Sequence, residues 1–295
     1  PFLSDSSLRR YIMQKAISKY WPVFVLPTLI AFIIGFIWPF IWGTYLSFQR
    51  FTTVSKTTFV GIQNYLSVFQ DSTFLHAFGF TAVFTVVSTV LINVCAFAIA
   101  LVLTRGIKGT NLFRTVYFMP NLIGGILLGY IWQILLNGVL ANLQKPLLAL
   151  DAKAGFVGLV ILMCWQQIGY MMIIYIAGLQ AVPEDMLEAA KIDGASNMHI
   201  LLAIVLPLVK NIFFTVMLVN FIGFWNDYQV PLLYMPSYPT VAYGMYNMAN
   251  TRENNLSSVP MRMTGAMLMF IPIFTLFLIF QKRLLGNLTV GGIKG

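Results

Sequence analysis

The sequence predicts an all-α membrane protein with several spanning helices. Of its 295 residues, 59% are hydrophobic and only 9% are charged, whereas a soluble domain carries about 25% charged residues. The mean hydropathy of +0.81 comes from long apolar runs, each of a length that can cross a bilayer. Polar or basic segments separate these runs. We therefore predict a polytopic protein with six transmembrane helices.

The predicted spanning runs cover residues 21–48, 78–103, 112–136, 155–179, 208–224 and 260–280. The first is too long for a signal-peptide apolar region and lacks a small-residue cleavage site at its end, so it is predicted to be retained. This gives an N-terminal segment over 1–20, a six-helix domain over 21–280 and a tail over 281–295. Gly124, Gly125 and Gly129 in the third run indicate a helix-packing face, with a hinge as the alternative.

Composition also argues against other classes of protein. The net charge is +9, but the basic residues are scattered at helix ends, so no nucleic-acid surface is predicted. Cys95 and Cys164 lie inside apolar runs, and His76 and His199 stand alone, so neither a disulfide nor a metal site is predicted. A membrane-embedded enzyme would need paired acids, a nucleophile with His, or metal ligands, and it remains a distant alternative.

The distribution of Lys and Arg predicts the orientation in the membrane. Six spans place both termini and the loop before the fifth span on one side. That side carries 12 of the 18 basic residues, namely Arg9, Arg10, Lys15, Lys19, Arg105, Lys108, Arg114, Lys191, Lys210, Lys282, Arg283 and Lys294. The opposite side carries the other 6, namely Arg50, Lys56, Lys145, Lys153, Arg252 and Arg262. The positive-inside rule therefore predicts cytoplasmic termini.

Acidic residues concentrate between the fourth and fifth runs. Four of the nine carboxylates lie within ten residues there: Glu184, Asp185, Glu188 and Asp193. Pro183 suits the first position of a short helix whose dipole favours acids in its first turn, and Gly194 can end that helix in the left-handed conformation. We predict that Ser196 caps a second helix. Its residues 197–206 are expected to lie along the membrane surface before Pro207 breaks or kinks it.

Residues 180–207 form the loop that carries a family resemblance. Glu188-Ala189-Ala190, three residues, Gly194, nine residues, Ile204, one residue and Leu206-Pro207 resemble the cytoplasmic coupling motif of permeases of bacterial binding-protein-dependent ABC importers. An element at 60–65, Val-Gly-Ile-Gln-Asn-Tyr, and the tail at 291–295 resemble the maltose and oligosaccharide permeases. The residues that this resemblance implies in ATPase coupling are Glu188, Ala189, Ala190, Asp193, Gly194, Ile204, Leu206 and Pro207.

The resemblance implies the type I importer permease fold, with a coupling helix that seats on an ATPase. The implied partners are a second homologous permease in a heterodimer, two ATPase subunits that bind ATP and Mg, and an extracytoplasmic solute-binding protein. The implied location is the bacterial cytoplasmic membrane, and the implied cargo is a carbohydrate of the oligosaccharide class. An amino acid, metal or phosphonate is the alternative cargo. The chain itself is predicted to be neither an enzyme nor a cofactor carrier, because Gly292 and Ile293 stand where a Walker loop needs Lys and Ser or Thr.

Polar and aromatic side chains at the exit of the fifth run are the candidates for contacting a sugar. Amides and carboxylates bond to hydroxyl groups, and aromatic faces cover C–H surfaces. The predicted substrate-path residues are Asn220, Trp225, Asn226, Asp227 and Tyr228, together with Gln166 in the fourth run. Interfacial Trp and Tyr occur in membrane proteins of any function, so that alternative stays open. Asn93, Gln133 and Gln167 could equally line the path or bond between helices.

Overall fold

The computed structural model describes residues 5–53, 56–234, 240–250 and 259–290. Arg252 and the tail motif over 291–295 lie outside the described residues. Within them, six helices are long and apolar enough to cross a membrane. These candidate spans are Lys19–Ser47, Ser72–Leu103, Gly125–Asn142, Ala152–Gln180, Asn197–Asn226 and Val259–Lys282. The predicted all-α class and the number of spans are confirmed for this part of the chain.

The secondary-structure elements follow the chain in a simple order. The helices are α1 (Asp5–Phe32), α2 (Trp38–Ser47), α3 (Gln63–Gln70), α4 (Ser72–Leu103), α5 (Thr110–Phe118), α6 (Gly125–Asn142), α7 (Ala152–Gln180), α8 (Glu184–Ile192), α9 (Asn197–Ile200), α10 (Leu206–Asn226), α11 (Gln229–Tyr234), α12 (Val241–Asn250) and α13 (Val259–Val290). Antiparallel strands β1 (Gln49–Thr53) and β2 (Lys56–Phe59) form one hairpin. Wide π turns over Ile33–Ile37 and Leu201–Val205 join α1 to α2 and α9 to α10.

The prediction of one spanning helix over residues 112–136 is wrong. The chain forms α5, a 3₁₀ turn over Met119–Leu122, and then α6, which extends to Asn142. Pro120 lacks an N–H for a continuing helix, and Ile123 and Gly124 are extended, with ψ angles of 131° and 132°. The helix is therefore interrupted between Phe118 and Gly125, where one continuous helix was predicted.

The prediction that residues 197–206 lie apart from the fifth span is also wrong. Helices α9 and α10 form one helical run through the π turn between them, and the candidate span begins at Asn197. The backbone N–H of Leu206 donates to the carbonyl of Leu201, five residues back. Pro207 lies in the first turn of α10, where its missing N–H is tolerated because the preceding turn is already widened.

The described residues divide into two compact units. The first contains α1, α2, the hairpin, residues 63–67 of α3 and residues 259–267 of α13. Here the family-like element at 60–65 has a structural role, because the Asn64 amide donates to the carbonyls of Ser47 and Gln49 at 2.8 and 2.7 Å. The Tyr65 hydroxyl lies 2.7 Å from Ser47 Oγ. These bonds fix the hairpin to the end of the first span.

The second unit contains the remaining elements and a core built on α4, α7 and α10. Asn93 and Gln133, left open by the sequence, make bonds between elements. Tyr175 Oη donates to Asn93 Oδ1 at 2.6 Å, and Gln133 Nε2 donates to the Leu233 carbonyl at 2.6 Å. Gly129 is the close-packed glycine of α6: a Cβ there would lie 3.3 Å from Leu233. The packing interpretation is therefore confirmed at this position.

Candidate functional site

Helix α8 and the turn after it form the acidic element that the sequence predicted. Glu184 and Asp185 lie in the first turn and Lys191 lies in the last turn. The acids face the positive N-terminal end of the helix dipole, and the lysine faces its negative C-terminal end. Gly194 has a φ of +78°. Its N–H donates to Lys191 O at 3.0 Å, and the N–H of Ala195 donates to Ala190 O at 2.9 Å. These two bonds are those of a Schellman motif, which ends a helix through a left-handed residue.

Pro183 and Ser196 stand at the N-terminal ends of α8 and α9. Pro183 is the N-cap of α8 and has an extended backbone. The helix therefore begins at Glu184, one residue later than predicted. Ser196 caps α9 as predicted, since its Oγ accepts from the N–H of His199 at 3.2 Å. Helix α8 therefore has defined ends on both sides, and a tight turn joins it to the helical run of the fifth span.

The two sides of α8 have different surroundings. Its outer side presents exposed carboxylates together with exposed apolar groups: Ile192 is 85% exposed and Met186 is 45% exposed. On the inner side, Leu187 and Ala190 pack against a buried cluster that contains Val182, Ile200, Val205 and Val209. The cluster connects α8 to α10, because Val209 belongs to α10 and Val205 precedes it. Side-chain packing through this cluster therefore joins α8 to the fifth span.

The eight predicted coupling residues fall into two groups in the structure. Glu188, Ala189, Asp193, Gly194 and Pro207 are exposed, whereas Ala190, Ile204 and Leu206 are partly buried. The first group is available to a partner. Within the second group, Ala190 packs against the buried cluster that joins α8 to α10. Their role in coupling stays a prediction.

A cavity of about 290 Å³ lies between α6, α7, α10 and the start of α11. It is lined by Gly125, Met163, Gln166, Gln167, Tyr170, Met171, Val219, Asn220, Gly223, Phe224, Asp227, Gln229 and Val230. Three predicted substrate-path residues, Gln166, Asn220 and Asp227, thus line the same cavity. Asn220 is only 4% exposed, and its Nδ2 has no hydrogen-bond partner among the described residues. Such an orphaned buried donor is uncommon in native proteins.

Asp227 directly follows α10 and caps α11. Its Oδ1 accepts from the N–H of Gln229 at 3.0 Å and from the N–H of Val230 at 3.4 Å. Burial raises the pKa of Asp227, and these two backbone donors lower the pKa in part. The carboxylate is therefore held by the backbone at the edge of the cavity.

Comparison with known proteins assigns this arrangement to a family. Residues 108–288 match the family described as "Binding-protein-dependent transport system inner membrane component". The chain belongs to this family of inner membrane components. The matched residues include both α8 and the cavity. The protein is thus a multi-pass transport component, not an enzyme.

Individual relatives of this inner membrane component agree with the assignment. It is 38% identical over 201 residues to a probable starch degradation products transport system permease protein of Thermoanaerobacterium thermosulfurigenes, covering 66% of this chain and 68% of that protein. It is 33% identical over 222 residues to an sn-glycerol-3-phosphate transport system permease protein of Brucella abortus, covering 70% and 75%. Its fold matches a chain of a bacterial alginate ABC transporter with a TM-score of 0.72 at 17% identity, covering 90% and 94%.

The structure of this inner membrane component separates the predicted substrate-path residues. Trp225 is 2% exposed, donates from Nε1 to the Met269 carbonyl at 3.0 Å, and packs edge-on against Phe78. Its position corrects the expectation that it lines the path with Asn220, because it is a core residue. Asn226 is exposed with its amide bonded to its own helix, and Tyr228 stacks on Tyr246 at 4.8 Å. Neither of these two lines the cavity.

Three further polar side chains line the cavity of this inner membrane component without having been among the predicted path residues. Gln167 was left undecided, and its side chain both lines the cavity and lies 3.4 Å from Asn121 Nδ2. Tyr170 and Gln229 were missed. Tyr170 was detectable, since it lies one helical turn after Gln166 on the same face. Gln229 was not, because only the turn at Asp227 brings it to the cavity.

Proposed function

We propose that this chain is a permease subunit of an ATP-driven carbohydrate importer and that α8 couples it to a separate ATPase. The relative named for starch degradation products supports the carbohydrate cargo. ATP and Mg are bound by the partner ATPase in this proposal, and this chain supplies no cofactor. Its membership in a family of binding-protein-dependent components supports a solute-binding protein as a further partner.

The observation that carries the proposal is the direct connection between α8 and the helix that lines the cavity. The buried cluster joins Ala190 of α8 to Val209 of α10, and the same α10 carries Asn220. Leu206 and Asn220 lie about 20 Å apart along the helix axis, at 1.5 Å per residue. Movement of α8 by an ATPase would thus shift one wall of the cavity. Shifting a two-state population from 1:99 to 99:1 needs a difference of about 5.5 kcal/mol in the affinity of ATP for the two states of the importer.

The finer arrangement is also part of the proposal. The complete importer contains this chain, a second homologous permease, two ATPase subunits and the binding protein, in the bacterial cytoplasmic membrane. The excess of Lys and Arg on the side of α8 supports cytoplasmic termini. An exposed helix that combines carboxylates with Ile192 and Met186 suits a protein partner in that compartment.

Site-specific labelling tests the orientation and the ATPase contact together. Cysteine is introduced at Ile192 in a chain whose Cys95 and Cys164 are replaced by Ala, and a membrane-impermeant maleimide is applied from each side. We expect labelling of position 192 from the cytoplasmic side only, and much slower labelling once the ATPase is bound. Phe59, which is 72% exposed, provides the control position, which should react from the opposite side whether or not the ATPase is present.

The transport activity is tested with the complete importer in proteoliposomes. Uptake of labelled maltotriose should require ATP, the ATPase and the binding protein, and should cease when any of them is omitted. Labelling of position 192 from the outside, or uphill uptake by this chain alone, would contradict the proposed function.

A further inference from the structure

We propose that the cavity admits an uncharged sugar unit and excludes a sugar that carries a phosphate or a carboxylate. This inference rests on the proposed carbohydrate import and specifies the charge class of its cargo. The question arises because the relatives of this chain differ in cargo: one is named for starch degradation products and another for sn-glycerol 3-phosphate. The side chains of the cavity distinguish between these classes.

The buried amides of the cavity provide a place for a neutral polar ligand. Asn220 has a buried Nδ2 without a partner, and Gln166 is only 8% exposed. A buried donor without an acceptor destabilises the protein until a ligand oxygen replaces the lost water. A sugar hydroxyl is such an acceptor, and it carries a proton that a neighbouring carbonyl or carboxylate oxygen can accept. The unpaired amide therefore indicates a ligand rich in hydroxyl groups.

Asp227 provides a carboxyl group at the edge of the same cavity. The two backbone N–H groups reach its Oδ1, which leaves Oδ2 free of any protein hydrogen bond in the described structure. A carboxylate oxygen accepts strongly from a hydroxyl group. An anionic ligand in the same cavity would instead be repelled by the Asp227 carboxylate, because both groups carry a negative charge.

The cavity lacks the cation that an anionic sugar would need. None of the described residues that line it is Lys, Arg or His. On the helices that form its walls, α6, α7, α10 and α11, the only basic residues are Lys153 and Lys210. Lys153 lies about 20 Å along α7 from Gln166, and Lys210 about 15 Å along α10 from Asn220. Both separations are far longer than the N···O distance of about 4 Å that defines an ion pair.

An anionic sugar in this cavity would lose its hydration without gaining a counter-ion. Burying an unpaired charge is costly, so we expect binding at least about tenfold weaker than that of the neutral sugar of the same size. A neutral sugar loses only hydrogen bonds to water, which Asn220, Gln166 and Asp227 can replace.

A matched pair of probes tests this inference. The probes are maltotriose and the same trisaccharide with one terminal C6 hydroxymethyl group oxidised to a carboxylate. Binding is measured by saturation-transfer NMR on the complex of this chain with its partner permease and ATPases, without the binding protein, so that selection by that protein does not contribute. Maltotriose should bind, and the oxidised trisaccharide should bind at least about tenfold more weakly.

Variants of the cavity residues distinguish the possible outcomes. Asp227→Asn keeps an oxygen that can accept from the N–H groups of Gln229 and Val230, so α11 should stay capped. Because this variant removes the negative charge, the difference in affinity between the two probes should become smaller. Asn220→Ala should weaken maltotriose binding. Equal binding of both probes to the wild-type complex would overturn the charge inference and leave sugar import standing. Binding of neither probe, or maltotriose binding unchanged in both variants, would overturn the cavity as the sugar site. ATP-dependent uptake separately decides the proposed function.

Discussion

Replacement of Gly194 perturbs the turn that joins α8 to the fifth span. Its φ of +78° lies in the left-handed region, and a Cβ added there would meet no atom within 4 Å. The cost of Gly194→Ala is therefore conformational and not steric, at about 1–2 kcal/mol. A β-branched residue such as Val should cost more, because it is rarely found at positive φ. Asn should cost less, since it adopts this conformation most readily among the other residues.

The Ala195 amide reports this cost directly, because its N–H bonds to the Ala190 carbonyl across the turn. A loss of 1–2 kcal/mol should speed hydrogen exchange of this amide about 5–30-fold in Gly194→Ala. In proteoliposomes, the number of ATP molecules hydrolysed per sugar transported should rise from Gly194→Asn to Gly194→Ala and be highest in Gly194→Val. Gly138, an exposed glycine of α6 with open space around it and no positive φ, provides the control: Gly138→Ala should change neither measurement. Normal coupling and normal exchange in Gly194→Val would refute the reasoning.

Two further substitutions test the packing of the second unit. Gly169→Ala would overlap the carbonyl of Tyr117, so α5 must move away from α7; we expect a loss of about 1–3 kcal/mol, seen as a lower melting temperature, and an unchanged melting temperature would contradict the close approach. Trp225→Ala should cost about 3–5 kcal/mol by leaving a buried space and by removing the hydrogen bond from the indole to the Met269 carbonyl. That variant should lose assembly in size-exclusion chromatography, whereas a well-assembled variant with altered sugar preference would return Trp225 to the substrate path.

The features that the sequence predicted well are those with local physical causes. The helix over residues 184–192 follows from acids in its first turn, Lys191 in its last turn and Gly194 after it. All the hydrogen bonds that close this element join residues within five positions of each other. The spans were likewise predictable, because length and apolarity alone decide whether a helix can cross a bilayer.

The errors arose where a local rule competes with its surroundings. Pro120 and Pro207 both interrupt helical hydrogen bonding, yet the chain breaks after the first and remains helical through the second. The difference lies in the neighbouring backbone, which is extended at Ile123 and Gly124 but forms a π turn before Leu206. A residue pattern does not specify which of these two responses occurs.

By itself, the sequence determined that the described residues contain six helices long and apolar enough to cross a membrane, with an acidic helix between the fourth and the fifth. Bilayer length, dipole and turn rules act along the chain, so they can be applied to a sequence alone. Only the tertiary structure decided which polar residues share a cavity. Gly125, Gln166, Asn220 and Gln229 come from four different elements, and no periodicity predicts their meeting. The tertiary structure also placed the Trp225 side chain in the protein core. The sequence could not predict this, because both lipid-facing and core-facing positions of a spanning helix are apolar and the residue pattern does not distinguish them.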